Sequence, residues 1–308
     1  MAINKVEIKD FLVFKGNFTA EFCSGVNVLI GGNGTGKTTI LKCLSIKGFS
    51  YFDLIKVSGN AKIIFNGRNV FGNNIAITSE NYNANSSVYI PEKDILEHAK
   101  GLLTFIETKE TGFSPIYRDV LIKAQDVPTS KQSETQQRIG KNISDIIGGE
   151  VKWDKGDGSF YTIKVNGDRI PFANEASGFK KLGFLGLLVA CGQMESGDVL
   201  FWDEPENSLN PELIPVLVDI LLELSRNGVQ IFIATHSYTF ARYFDINKRN
   251  TDKVMFYNLS KEDNGTISAA SSSEYTNLSK SILENANKKL FQDVVANAME
   301  VQKDEQNF

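Results

Sequence analysis

Apolar and polar positions alternate over the first thirty residues, as they do in strands with one buried face. Val6 and Ile8 share one face, and Phe18, Ala20 and Phe22 share another. Lys15-Gly16-Asn17 reads as the turn between them. A tighter apolar run at 26–30 leads into a glycine-rich loop at 31–36 and a short helix expected over 37–46. Residues 47–90 are rich in Asn, Ser and Gly, with short strands expected at Lys62–Phe65, 75–78 and Ser87–Ile90. The pattern then turns helical, over 92–106, Pro115–Ala124 and 133–147. Ser130 and Ser133 are candidate N-caps for the last helix, and Gly148-Gly149 ends it.

After Gly149 the β pattern returns. Segments 160–165 and 169–172 flank Asn166-Gly167-Asp168, which predicts a hairpin with a type I′ turn. A glycine-punctuated apolar helix over 177–191 follows. Next come a buried strand at 199–202, a helix over 211–225, a buried strand at 230–234 and a helix from Ser237. Strands and helices alternating at this spacing imply a parallel sheet with right-handed crossovers. One α/β domain over 1–308 is expected, with a helical lobe inserted at 91–149 and a C-terminal helix and charged tail over 275–308. The chain is expected to fray from about Asp293.

Composition narrows the classes. The chain is 308 residues long, 42% hydrophobic and 23% charged, with a net charge of −4, which is ordinary for a globular protein. The acidic balance excludes a generally basic nucleic-acid binder but leaves room for a local basic patch. Cys23, Cys43 and Cys191 show no CxxC spacing, and His98 and His236 are too few for a histidine zinc site. With no apolar leader and no long apolar run, the expectation is a soluble cytoplasmic protein with no membrane partner.

Residues Gly31-Gly32-Asn33-Gly34-Thr35-Gly36-Lys37-Thr38, followed by Thr39, fit G-x-x-x-x-G-K-[ST] between a buried strand and a helix. That is the context of a P-loop. Its glycines let backbone N–H groups wrap phosphates, and the helix start adds its positive dipole. Lys37 is then expected on the β- and γ-phosphates of ATP, and Thr38 on Mg²⁺. The run 199–202 ends in Asp203-Glu204, at the carboxyl edge of the predicted sheet where ligands sit in such folds. Asp203 there would hold Mg²⁺ through its water shell, and Glu204 would polarise the attacking water.

These residues carry a family resemblance. Asp203-Glu204-Pro205-Glu206-Asn207-Ser208-Leu209-Asn210-Pro211 resembles the Walker B and D-loop stretch of ABC-type ATPases. Thr235-His236-Ser237 resembles their H-switch, which implies a histidine on the γ-phosphate. Ala176-Ser177-Gly178-Phe179-Lys180 resembles the ABC signature, with Phe179 and Lys180 in place of the usual Gly and Gln. A serine N-cap with free N–H groups at a helix start would form an anion site there, one that in the family closes on the nucleotide of the opposite subunit. Lys180 either adds charge on that nucleotide or serves a contact outside it. The fold implied is an α/β ABC-type P-loop NTPase. It has a mixed, largely parallel central sheet, an N-terminal antiparallel portion and the inserted helical lobe.

The segments Val6–Phe11 and Gly25–Gly31 resemble the start of RecF- and SMC-type ATPases, and the insert lacks the sustained heptads of long SMC arms. Segment 89–101 resembles one in bacterial ATPases encoded beside toprim-type nucleases, the PARIS-type anti-phage systems, or it is an ordinary proline-initiated helix start. The resemblance thus implies a regulatory ATPase that assembles with itself, as a homodimer or higher, and with an effector nuclease. A RecF-like repair ATPase that binds nucleic acid is the alternative, and a transporter ATPase subunit a third reading.

Overall fold

A strand buried on both faces must find neighbours on both edges, and this requirement organises the fold. The computed structural model describes residues 2–45, 62–65, 68–71, 87–93, 95–108, 115–126, 132–278 and 282–306. β1 (Lys5–Phe11) and β2 (Phe14–Glu21) pair antiparallel, followed by β3 (Val26–Gly31) and α1 (Lys37–Leu44). β4 (Lys62–Phe65) and β5 (Arg68–Phe71) extend the first pair into a four-stranded antiparallel sheet of order β2-β1-β4-β5. The strand expected at 75–78 lies outside the described residues.

β6 (Ser87–Ile90) begins the return to the main sheet. After it come α2 (Ala99–Thr108), α3 (Pro115–Ala124) and α4 (Glu134–Ile147), then β7 (Gly149–Asp154), β8 (Ser159–Lys164) and β9 (Arg169–Pro171), which form a small antiparallel sheet. The remainder runs α5 (Ser177–Ala190), β10 (Val199–Asp203), α6 (Ile214–Arg226), β11 (Gln230–Thr235), α7 (Tyr238–Asn247), β12 (Val254–Lys261), β13 (Ile267–Ser272) and α8 (Ile282–Gln306). The main sheet has the order β13-β12-β3-β11-β10-β6, parallel throughout except for β13.

Alternate residues of the central strands feed two cores. Leu29, Phe201, Phe232 and Tyr257 face α1 and the first hairpin, whereas Val28, Leu200, Trp202, Ile231 and Phe256 face the helices of the other side. Gln230, 3% exposed, fastens the N-terminal segment to the sheet: its amide donates to the carbonyls of Ile3 (2.8 Å) and Cys23 (2.7 Å) and accepts from the Ile3 N–H (2.8 Å). Among the described residues no helix is long and apolar enough to cross a membrane.

Local differences from the sequence reading have identifiable causes. The first hairpin turns at Leu12-Val13, because Phe14 belongs with the buried face of β2 and draws the strand past Lys15-Gly16-Asn17. At the second hairpin only Gly167 takes positive φ (88°). Its N–H donates to the Lys164 carbonyl (2.9 Å) and Asn166 Oδ1 accepts from the Asp168 N–H (3.1 Å), so the turn is type I with a glycine bulge rather than type I′. The helix expected over 92–106 is a 3₁₀ turn at Leu96–His98 followed by α2, which is itself broken at Lys100-Gly101. Ser133 caps α4 in a reciprocal capping box with Gln136. Past Asp293, where the sequence predicts fraying, α8 continues as helix to Gln306.

Phe232 is fully buried, stacked on Phe201 (centroids 5.2 Å apart) and edge-on to Phe22 (5.0 Å). Phe232→Ala should therefore cost about 3–5 kcal/mol. Urea unfolding should show this as a lower midpoint at an unchanged slope.

Candidate functional site

The P-loop is pressed into shape from behind. Gly36 caps α1 at φ 92°, and a Cβ there would lie 2.6 Å from the Phe14 ring and 3.0 Å from Val13. No side chain caps this helix start, which leaves its first N–H groups to a ligand. Gly31, Thr35, Gly36 and Lys37 are buried, Gly32, Thr38 and Thr39 half-buried, and Asn33 and Gly34 exposed. Thr35 Oγ1 donates to the Gly32 carbonyl (2.9 Å). The Lys37 ammonium donates to the carbonyls of Gly31 (2.8 Å) and Gly32 (3.0 Å). Burial pulls its pKa down, against the opposing pull of the Glu204, Asp203 and Glu206 carboxylates.

β10 delivers Asp203 to this loop. The Thr38 hydroxyl donates to Asp203 Oδ1 (3.1 Å), and the hydroxyl of Tyr89 on β6 donates to Oδ2 (3.2 Å). Burial raises the Asp203 pKa and both hydrogen bonds oppose that rise. The Tyr89 phenol is itself pushed well above its usual range by burial and by the adjacent carboxylate. Tyr89 is a site residue that sequence reasoning missed. Its place follows from β6 pairing with β10 in the register Phe201↔Tyr89, and no local pattern announces that pairing.

The chain turns sharply after β10. Glu204 has φ 50° and Ser208 φ 60°, conformations that cost roughly 1–2 kcal/mol each for residues with a Cβ. The Glu204 N–H donates to the Ala234 carbonyl at the end of β11 (2.9 Å), and the Lys181 ammonium donates to the Glu204 carbonyl (3.0 Å). The Glu204 carboxylate meets His236 Nδ1 at 2.9 Å. A carboxylate acceptor there selects the tautomer that donates through Nδ1. Glu206, largely buried, accepts a short hydrogen bond from Thr235, and burial raises its pKa despite that bond.

Lys37, Thr38, Asp203, Glu204 and His236 thus gather at the carboxyl edge of the sheet. Ser177 and Gly178 belong to a different neighbourhood. Ser177 is the exposed first residue of α5, and the N-cap is Ala176 rather than the serine, because the Ser177 backbone is already helical. No side chain caps this start either. Gly178 is buried against Leu209 and Leu213, so the segment after Ser208 packs on the start of α5. Asn207 reaches back to Glu92 (3.2 Å).

The donor set fits Mg²⁺ bound with a nucleotide. Thr38 and Asp203 offer one hydroxyl and one carboxylate, and Mg²⁺ characteristically takes few protein oxygens and completes its shell with phosphate and water. Among the described residues no group of three or more His, Cys, Asp or Glu forms a metal cage of protein ligands alone.

Lys180 has a carboxylate partner within its own chain. Its ammonium, on a side chain 9% exposed, pairs with Glu97 at 2.6 Å. A Lys180→Met/Glu97→Gln double-mutant cycle should give about 1–3 kcal/mol of coupling at neutral pH. The lysine holds Glu97 below the usual carboxylate range. That stabilisation is present above the range and is lost as pH falls through the lowered value. Zero coupling at neutral pH together with weakened nucleotide binding would return Lys180 to the nucleotide.

Known proteins extend this picture. Residues 103–242 match the family described as "AAA domain, putative AbiEii toxin, Type IV TA system". The histidine/lysine/arginine/ornithine transport ATP-binding protein HisP of Salmonella typhimurium is 24% identical over 75% of this chain and 77% of its own length. The L-cystine import ATP-binding protein TcyN of Bacillus subtilis is 37% identical over 19% of this chain, and the match spans only a fifth of the length of TcyN. The SMC head domain from Thermotoga maritima superposes with a TM-score of 0.50 at 15% identity, covering 88% of this chain and 98% of that one. An SMC head bound to the C-winged helix domain of ScpA gives 0.51 at 16% identity, covering 90% and 99%. The chain thus has the fold shared by SMC heads and ABC-type ATPases, and its motifs are those of an ATP-hydrolysing P-loop enzyme.

Proposed function

We propose that the chain is a Mg²⁺-dependent regulatory ATPase. In this reading ATP is held between two protomers, and its hydrolysis controls a partner effector in prokaryotic anti-phage defence. The observation that carries the chemistry is the pair of contacts joining three motifs: Thr38 to Asp203 at 3.1 Å and Glu204 to His236 at 2.9 Å. Lys37 and the N–H groups at the start of α1 bind the phosphates. Thr38 and Asp203 would hold the metal, which would supply charge neutralisation to the phosphates. Glu204 accepts a proton from the attacking water, and His236 orients the carboxylate from its other side.

The sandwich rests on geometry. α1 and α5 both present uncapped starts, two anion-binding helix ends for one triphosphate per chain. The resemblance assigns the α5 start to the opposite protomer's nucleotide, with Ser208-Leu209-Asn210 along the shared seam. Contacts that form only with the γ-phosphate present distinguish open from closed states, as a switch requires. The effector reading, a toprim-type nuclease, is supported by the likeness of segment 89–101 to PARIS-type ATPases. The defence setting gains support from the toxin–antitoxin description of the matched family. A transporter-energising role takes its support from the similarity to HisP. Co-purification from the native host separates the two, since one predicts a nuclease and the other a membrane permease.

Glu204→Gln should bind ATP and stop hydrolysing it, and Lys37→Ala should lose ATP binding. Hydrolysis by Glu204→Gln at the wild-type rate would remove Glu204 from its role. Mixing Lys37→Ala with Ser177→Arg protomers should restore activity that neither has alone, because each mixed dimer regains one complete site. Mixed dimers that form without regaining activity would leave an enzyme working within one chain.

A further inference from the structure

α5 holds two adjacent buried lysines whose charges go to different places. Lys180 pairs with Glu97, on the turn that follows β6, whereas Lys181, 5% exposed, donates to the backbone carbonyl of Glu204 at 3.0 Å. A buried ammonium needs an acceptor, so this contact is built into the packing of the helix.

Glu204 occupies the left-handed region at φ 50°, where a residue with a Cβ stays only if its surroundings over-determine it. Three backbone contacts do so: Ala234 accepts from its N–H at 2.9 Å, and its carbonyl accepts from the Asn207 N–H (3.1 Å) within the turn and from the Lys181 ammonium (3.0 Å) outside it. With both sides of the residue fixed, its side chain is aimed at the His236 ring. Lys181 also lies one helical turn beyond Ser177, at i and i+4, so the two share a face of α5. A displacement at the exposed start of the helix therefore reaches the Lys181 ammonium along a single rigid turn.

We propose that Lys181 is a positioning residue for Glu204, tying the geometry of the catalytic carboxylate to the position of the α5 start in the same protomer. The inference rests on the reading of Glu204 as the base and of Ser177 as a contact to the opposite protomer's nucleotide. It deepens that reading, because a protomer's own base is then set by the occupancy of its partner's P-loop. Its hold on the turn runs through the Glu204 carbonyl.

The test compares Lys181→Met, Lys181→Arg and Glu204→Gln, singly and as Lys181→Met/Glu204→Gln, by steady-state hydrolysis, binding of a fluorescent ATP analogue and thermal melting. Lys181→Met should lower kcat about tenfold or more while KM and analogue affinity stay within about twofold, and Lys181→Arg, which keeps the donor, should recover most of kcat. In the Glu204→Gln background the methionine should cause no further loss, since a residue that acts only through Glu204 has nothing left to position. Wild-type kcat in Lys181→Met beside an inactive Glu204→Gln overturns the proposal and leaves the function standing. An equal fold-loss in both backgrounds also overturns it, by showing an independent role. Wild-type hydrolysis by Glu204→Gln overturns the reading of the base and the proposal with it. Should Lys181→Met fail to fold, Lys181→Gln takes its place, its shorter stem falling short of the carbonyl, and the same split from Lys181→Arg decides the matter.

Discussion

A carboxylate at the end of a doubly buried strand is the constraint around which the molecule is arranged. β10 is apolar on both faces up to Trp202, and Asp203 must then carry charge where water is scarce. Left unpaired, such a group would cost several kcal/mol or give up its charge. Thr38 and Tyr89 satisfy one oxygen each, which fixes the P-loop on one side and the edge strand β6 on the other. The sheet order β11-β10-β6, the direction of β6 and the docking of α1 all meet at this one side chain. The Thr38 hydroxyl thereby ties the start of α1 to the end of β10.

The turn after Asp203 shows how strain is held in place. Glu204 and Ser208 both sit at positive φ, and between them the segment is anchored by Ala234, Lys181, Thr235 and Glu92. Those anchors come from three separate parts of the chain. The loop therefore reports on the relative placement of β11, α5 and the stretch after β6. Lys180 and Glu97 add a second tie between the last two.

The central motifs were legible because each is written in a short, contiguous stretch. The P-loop needs its glycines and its lysine within eight positions, and Val199–Asp203 needs only a run of apolar residues with a carboxylate at its end. Segment boundaries such as Ser87–Ile90 and Pro115–Ala124 were also readable from local periodicity. What escaped was set by distant neighbours. Tyr89 becomes part of the site only through strand pairing with a segment more than a hundred residues away. The motif leaves Lys180 open between the nucleotide and a contact outside it, and its partner Glu97, on another element, could not be read from that motif. The strand pair β12 and β13 and the strand β7 carry polar interruptions that blur their alternation; the main sheet completes the first two as strands, and the small sheet with β8 completes β7.

The position of β3 has a consequence for how the chain reaches this state. Its residues 26–31 are made early, but their partners on either edge are β11 and β12, at 230–235 and 254–261. Pairings so far apart in sequence pay a large loop-closure entropy before any contact rewards them, which slows folding. On the ribosome, the most apolar strand of the N-terminal part waits until nearly the whole chain has emerged before either edge is covered. During that interval Val26-Asn27-Val28-Leu29-Ile30 is an uncovered β segment of the kind that seeds association between nascent chains. The topology that places the glycine-rich loop at the centre of the sheet is thus also the one that leaves its strand longest without neighbours.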